Sequence, residues 1–90
     1  MKTLNDLMDR AKAAAGLTSD YKLAQHLSIE STLVYAWRAE RRNPTPEAVL
    51  NLARMANESP AYWLLMMQAR KTTNARLARR FIEAAEEIPV

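Results

Sequence analysis

The sequence predicts an all-α chain, and three observations carry that expectation. It holds 1 glycine and no extended β-branched run, so helix propensity is high and strand propensity low. Two of its prolines follow hydroxyl residues, in Thr45-Pro46 and Ser59-Pro60, a pairing that starts helices. Between such breaks the apolar residues recur at helical spacing.

Thr3 can cap a first helix, in which Leu4, Leu7, Met8, Ala11, Ala14 and Ala15 form an apolar stripe. Gly16 stands where a left-handed C-terminal cap belongs. "LTSD" supplies the next start, with Ser19 as cap and Leu23, Ala24 and Leu27 as the apolar face. Ser28, Ile29 and Glu30 interrupt, and a third helix is expected from about Ser31 to Ala39. The clearest breaker is "RRNPTP". Pro44 disfavours helix at Asn43, and Pro46 suits a first helical turn capped by Thr45. The fourth helix should turn Val49, Leu50, Leu52, Ala53 and Ala56 inward. Ser59 and Pro60 repeat the device for a fifth helix reaching about Arg70. Thr73 or Asn74 starts a sixth that ends before Pro89. No linker, repeat or low-complexity segment divides the chain. One domain over residues 1–90 is expected, with a core over about 1–70 and a C-terminal helix over about 73–88.

Composition excludes several classes. Hydrophobic content of 49% with 26% charged residues suits a globular domain and argues against disorder. Without cysteine the chain has no disulfide and no thiolate metal site, which fits a reducing cytosol; a cytoplasmic location is expected. The single histidine, His26, supplies no zinc set and no nucleophile–base pair, and is expected to face solvent. With no facing carboxylates and no phosphate loop either, no enzyme, metal, cofactor or small-molecule ligand is expected. The N-terminus lacks a signal-peptide apolar block. The longest apolar run, "AYWLLMM", is far below the ~20 residues that span a membrane. A net charge of +3 permits nucleic-acid binding without demanding it.

The second and third helices are joined so closely that they must cross steeply, as in a helix-turn-helix. Ala24 suits the closest approach, and Ile29, Val34 and Trp37 would fill the angle. At ~100° per residue, Val34 and Trp37 point inward while Thr32, Tyr35, Ala36 and Ala39 point outward, with Ser31 and Arg38 on the flank. That outward face is too polar for core and too weakly charged for a plain solvated face. Hydroxyls can bond base edges and alanine methyls can touch thymine methyls, while Arg38, Arg41 and Arg42 gather where phosphates would flank a docked helix.

The stretch "LAQHLSIESTLVYAWRAERRNPTPEAVLNLA" resembles the helix-turn-helix of Cro and phage-repressor proteins. The matching positions are Leu23-Ala24, the turn at Ser28, the polar start Glu30 to Thr32, then Val34, Trp37, Arg41-Arg42 and Pro44. The chain departs from the family pattern at Ser28 and Glu40, where glycine is common. It departs again at Asp20, where an uncharged polar residue is usual near DNA. The resemblance implies a compact five-helix repressor-like domain, here with an additional C-terminal helix. It also implies a homodimer that sets one recognition helix on each half-site of a near-palindromic double-stranded DNA operator. Ser31, Thr32 and Tyr35 would then contact bases, and Ser19, Lys22, Arg38, Arg41 and Arg42 phosphates. The expected function is a transcriptional regulator, a phage or prophage repressor. The alternatives are a protein-binding regulator, for example of RNA polymerase, or an autoregulatory antitoxin on the same fold.

Trp37 and Trp63 read as core anchors and the methionines as gap-fillers. "AYWLLMM" is apolar all round its helix, so one core contact cannot cover it. The sixth helix carries the stripe Leu77, Ala78, Phe81, Ile82, Ala85 and Ile88. Its first half holds Arg76, Arg79 and Arg80, and its second half Glu83, Glu86 and Glu87. This order opposes the helix dipole, with Arg79–Glu83 as an expected intrahelical pair. It is, however, self-complementary between two antiparallel copies. The fifth and sixth helices are therefore expected to form a dimer interface through Trp63, Met67, Leu77, Arg80, Phe81 and Glu83.

Overall fold

Helix starts are set by side chains that satisfy the first free amides. In the computed structural model, which describes residues 3–89, Thr3 accepts from the Asp6 amide at 3.2 Å and Asp6 accepts from the Thr3 amide at 2.9 Å. This reciprocal box opens α1 (Leu4–Ala15). Ser19 opens α2 (Asp20–His26), Thr45 opens α4 (Pro46–Met55), Ser59 opens α5 (Pro60–Lys71) and Asn74 opens α6 (Ala75–Glu86), each accepting one first-turn amide. Only α3 (Ser31–Arg38) starts without a side-chain cap, at Glu30. Among the described residues these six helices are the whole regular structure, with no strand.

Four helices end the same way. Gly16, Ser28, Glu40 and Asn57 take positive φ of 69°, 57°, 60° and 56°. The following amide then reaches back to a carbonyl of the last turn: Leu17 to Lys12, Ile29 to Ala24, Arg41 to Ala36, and Glu58 to Ala53. Glycine is common at two of these positions in the resembling family; here Ser28 and Glu40 adopt the left-handed conformation themselves, at a steric cost of about 1 kcal/mol each. Replacing Ser28 with glycine is expected to raise stability by about 0.5–1 kcal/mol, since glycine's greater unfolded-state freedom offsets part of the relief. Urea unfolding checks this, and a lower midpoint would mean the serine side chain contributes more than its strain costs.

The core joins Leu4, Leu7, Met8 and Ala11 of α1 to Leu23 and Ala24 of α2 and to Val34 and Trp37 of α3. Ala48, Val49, Leu52 and Ala53 of α4 and Trp63 and Met67 of α5 complete it. Pro44, the breaker before α4, is also fully buried. α1 packs on α4, α2 on α3, and α5 lies between α4 and α6. The Cα radius of gyration, 13.0 Å, is that of one packed body of about this length.

Some inward assignments shift. Ala14 and Ala15 are exposed, although Lys12 in the same last turn of α1 is half-buried against Asp20. On α4 the buried arc is centred nearer Ala48 than Leu50, so Ala48 is buried and Leu50 half-buried.

The larger correction concerns α5. Trp63 and Met67 are 2% and 6% exposed, so Trp63 is the core anchor its apolar pattern suggests, and neither belongs to a surface that a second copy could reach. The Trp63 ring meets Tyr62 edge-to-face at 5.3 Å, and its indole N–H donates to Glu58 at 3.2 Å. Glu58 also pairs with Arg10 of α1 at 2.9 Å. The chain's own α6 packs against α5 and covers part of its apolar surface, while Leu64 of α5 stays 36% exposed. Within α6 the intrahelical ion pair is Arg80–Glu83 at 3.4 Å, in place of the expected Arg79–Glu83. Among the described residues no helix is long and apolar enough to cross a membrane.

Candidate nucleic-acid interface

α2 and α3 pack on one another across the turn formed by Leu27, Ser28, Ile29 and Glu30. Two features make the turn tight: the positive φ of Ser28 and the Ile29 amide bonded to the Ala24 carbonyl at 3.0 Å. Ala24 is fully buried, as a small residue at a close approach should be. Val34 and Trp37 fix α3 to the core, burying one side of an eight-residue helix.

Its other side is open. Thr32 and Ala39 are exposed and Tyr35 is 50% exposed, whereas Ser31 and Ala36 are half-buried. Of the three candidate base-contacting residues, Thr32 and Tyr35 thus stand clear of the body and Ser31 stands at its margin. The uncapped start of α3 also leaves its first-turn amides without a side-chain acceptor, the positive end of a helix dipole.

The candidate phosphate contacts divide. Arg41 and Arg42 follow α3 closely, are exposed, and make no ion pair among the described residues. Lys22, in the first turn of α2, is exposed and equally unpaired among them. Ser19 is half-buried; its oxygen accepts from the Lys22 amide at 3.1 Å, which leaves its own hydrogen free to donate.

Arg38 does not belong with them. Its Nε and Nη2 donate to the two Asp20 carboxylate oxygens at 3.1 and 2.9 Å. Nη2 also reaches Asp9 at 2.8 Å, and Nη1 reaches both the Asn5 backbone carbonyl and its side-chain oxygen at 3.2 Å. With every guanidinium nitrogen engaged and its side chain only 21% exposed, Arg38 cross-links α3 to α1 and to the start of α2. The expectation that it contacts phosphate is corrected: its hydrogen-bonding capacity is spent inside the chain.

The same network explains Asp20. Its carboxylate turns to Arg38 and to Lys12, the latter at 3.1 Å. Hydrogen bonding from Arg38 holds its carboxyl below the usual range; burial opposes this and Lys12 assists it. Asp9 and Asp20 are therefore offset by Arg38 and Lys12 within one cluster. Beside α3, Arg41 and Arg42 are the arginines that make no ion pair among the described residues.

Tyr21, outside the set expected from the sequence, is 55% exposed on the first turn of α2, opposite the side that Leu23 buries. Its hydroxyl accepts from Gln25 at 3.5 Å. The available signal was an aromatic ring on the polar side of a short helix. No family model, no curated protein and no solved structure matches the chain.

Proposed function

We propose that the chain is a sequence-specific, double-stranded DNA-binding transcriptional regulator. In this reading α2 and α3 act as a helix-turn-helix that lays α3 in the major groove, as a homodimer on a near-palindromic operator. A repressor of phage or prophage type needs no further chemistry, since occupying the site blocks transcription; it would act in the cytoplasm, on the nucleoid.

One observation carries the reading: α3 is anchored by Val34 and Trp37 while its far side shows Thr32 and Tyr35, followed closely by two arginines that make no ion pair among the described residues. Hydroxyls on a slim helix can read base edges, and flanking cations neutralise phosphates. A surface built to dock protein would bring larger apolar side chains to its centre, and apart from Tyr35 this one brings threonine and alanine.

Selection from a random duplex pool tests it. The expected result is an enriched, near-palindromic motif whose half-sites lie about 34–36 Å apart. A pool with no enrichment at moderate salt overturns the proposal, and tight binding to a protein instead would support a protein-directed regulator. Arg41→Ala supplies a second check. It is expected to weaken all duplexes alike and to flatten the dependence of log affinity on log salt by about 0.9 for each phosphate it no longer neutralises. An altered sequence preference would show that Arg41 reads bases.

A further inference from the structure

We propose that α6 is a self-association surface on which two copies of this chain pair antiparallel about a twofold axis. The apolar stripe of α6 is wider than its own chain covers. The helix packs chiefly on α5 and fully buries only Ala85. Phe81, Ala84 and Ile88 are half-buried, and Leu77 is 48% exposed.

These four residues are not scattered. Leu77, Phe81 and Ala84 of α6, with Ile88 just past its C-cap and bonded back to the Ala85 carbonyl, follow the alternating four- and three-residue spacing of a coiled-coil seam along one edge of the stripe. Set antiparallel, the seam matches itself in size. Leu77 of one copy meets Ile88 of the other, and Phe81 meets Ala84, large against small. Alanines Ala78 and Ala85 lie on the side toward α5, and charges lie on the opposite flank.

The same register matches those charges. Arg80 of each copy falls between Glu83 and Glu87 of the other, and Arg76 approaches Glu87. Within one chain this complementarity is poorly used: the Arg80–Glu83 pair spans 3.4 Å with side chains 76% and 51% exposed, and the basic-first order opposes the helix dipole. A second copy running the other way places each acidic half beside a basic half. The seam is short, so association is expected in the weak class of small interfaces, roughly micromolar. The inference stands on α6 alone and does not depend on what α3 binds.

Sedimentation equilibrium of the full chain without DNA tests it. Concentration-dependent dimers are expected, and Leu77→Glu should raise the dimer dissociation constant about a hundredfold. Leu77 is half-exposed, so this change leaves the core intact. Two charge-reversed chains make the decisive comparison, one carrying Arg76→Glu with Arg80→Glu, the other Glu83→Arg with Glu87→Arg. Each alone should self-associate at least about tenfold more weakly, and an equimolar mixture should recover dimers. The proposal is overturned by a chain that stays monomeric at about 1 mM, by a dimer indifferent to Leu77→Glu, or by a mixture no better associated than its components. Because DNA is absent throughout, such a failure removes α6 as the source of the proposed homodimer but leaves the reading of α3 as a DNA-contacting helix to its own test.

Discussion

Arg38→Met is expected to lower the stability of the folded chain by about 2 kcal/mol at neutral pH. The side chain joins α1, the start of α2 and the last turn of α3 by polar contacts, through Asn5, Asp9 and Asp20. Methionine keeps much of the packed stem but removes every donor. Asp20 would be left with Lys12 alone, and the Asn5 carbonyl without that partner. A fully buried pair broken in this way costs about 3–5 kcal/mol. Asp20 and Arg38 retain about a fifth of their side-chain exposure and Asp9 well over half, so solvent recovers part of that loss.

The effect should depend on pH with a defined sign. Asp20 has a folded-state value held below its unfolded one, first by Arg38. Such a carboxyl contributes stability above the unfolded value, about pH 4, and loses it as pH falls through the lower folded value. The gap between the unaltered chain and Arg38→Met should therefore be full at pH 7 and narrow below about pH 4. Urea unfolding at pH 7 and pH 3 measures both. Equal midpoints at pH 7 would show that the network gives no net stability, and a gap that persists unchanged at pH 3 would remove Asp20 as its cause.

The second large effect concerns recognition. On the proposed reading of α3, a chain with Thr32→Ala and Tyr35→Ala is expected to lose about 10²–10³-fold of its preference for a selected operator over random duplex. It should bind random duplex nearly as before, because Lys22, Arg41 and Arg42 are untouched. Both residues are exposed, so the fold should be little disturbed, by about 0.5 kcal/mol or less. Competition binding with specific and random duplexes separates the terms. Retained preference would move sequence reading away from α3, with Tyr21 the next residue to replace. Parallel loss on both duplexes would instead make Thr32 and Tyr35 general affinity contacts.

Much of this molecule is legible from local chemistry. Thr3, Ser19, Thr45, Ser59 and Asn74 each accept an amide three residues on, so their role is complete within one turn and visible in the sequence. The stripe of Leu4, Leu7, Met8 and Ala11, and the inward pair Val34 and Trp37, follow from helical period in the same way. The left-handed end at Gly16 is equally readable. That at Asn57 is not, since asparagine is as ordinary in a helix-flanking turn as in a cap.

What failed to read was anything settled between distant segments. Trp63 reads as a core anchor and is one, but a segment apolar on every side cannot reveal whether its own chain or a second copy covers the rest. The dimer-interface assignment of Trp63 and Met67 fails there. Arg38 lies on the flank of α3, and a helical wheel gives its angle but not where a long side chain reaches. Its partners are 18, 29 and 33 residues away and meet it only because α1 and α2 pack where they do. Capping and periodicity act over a turn or two, so the places where helices begin and the faces they turn inward are written in the order of residues. Which charges stay outside is a matter of packing. Arg38 is drawn inward by carboxylates brought to it from α1 and α2, whereas Arg41 and Arg42, which make no ion pair among the described residues, remain on the surface beside α3.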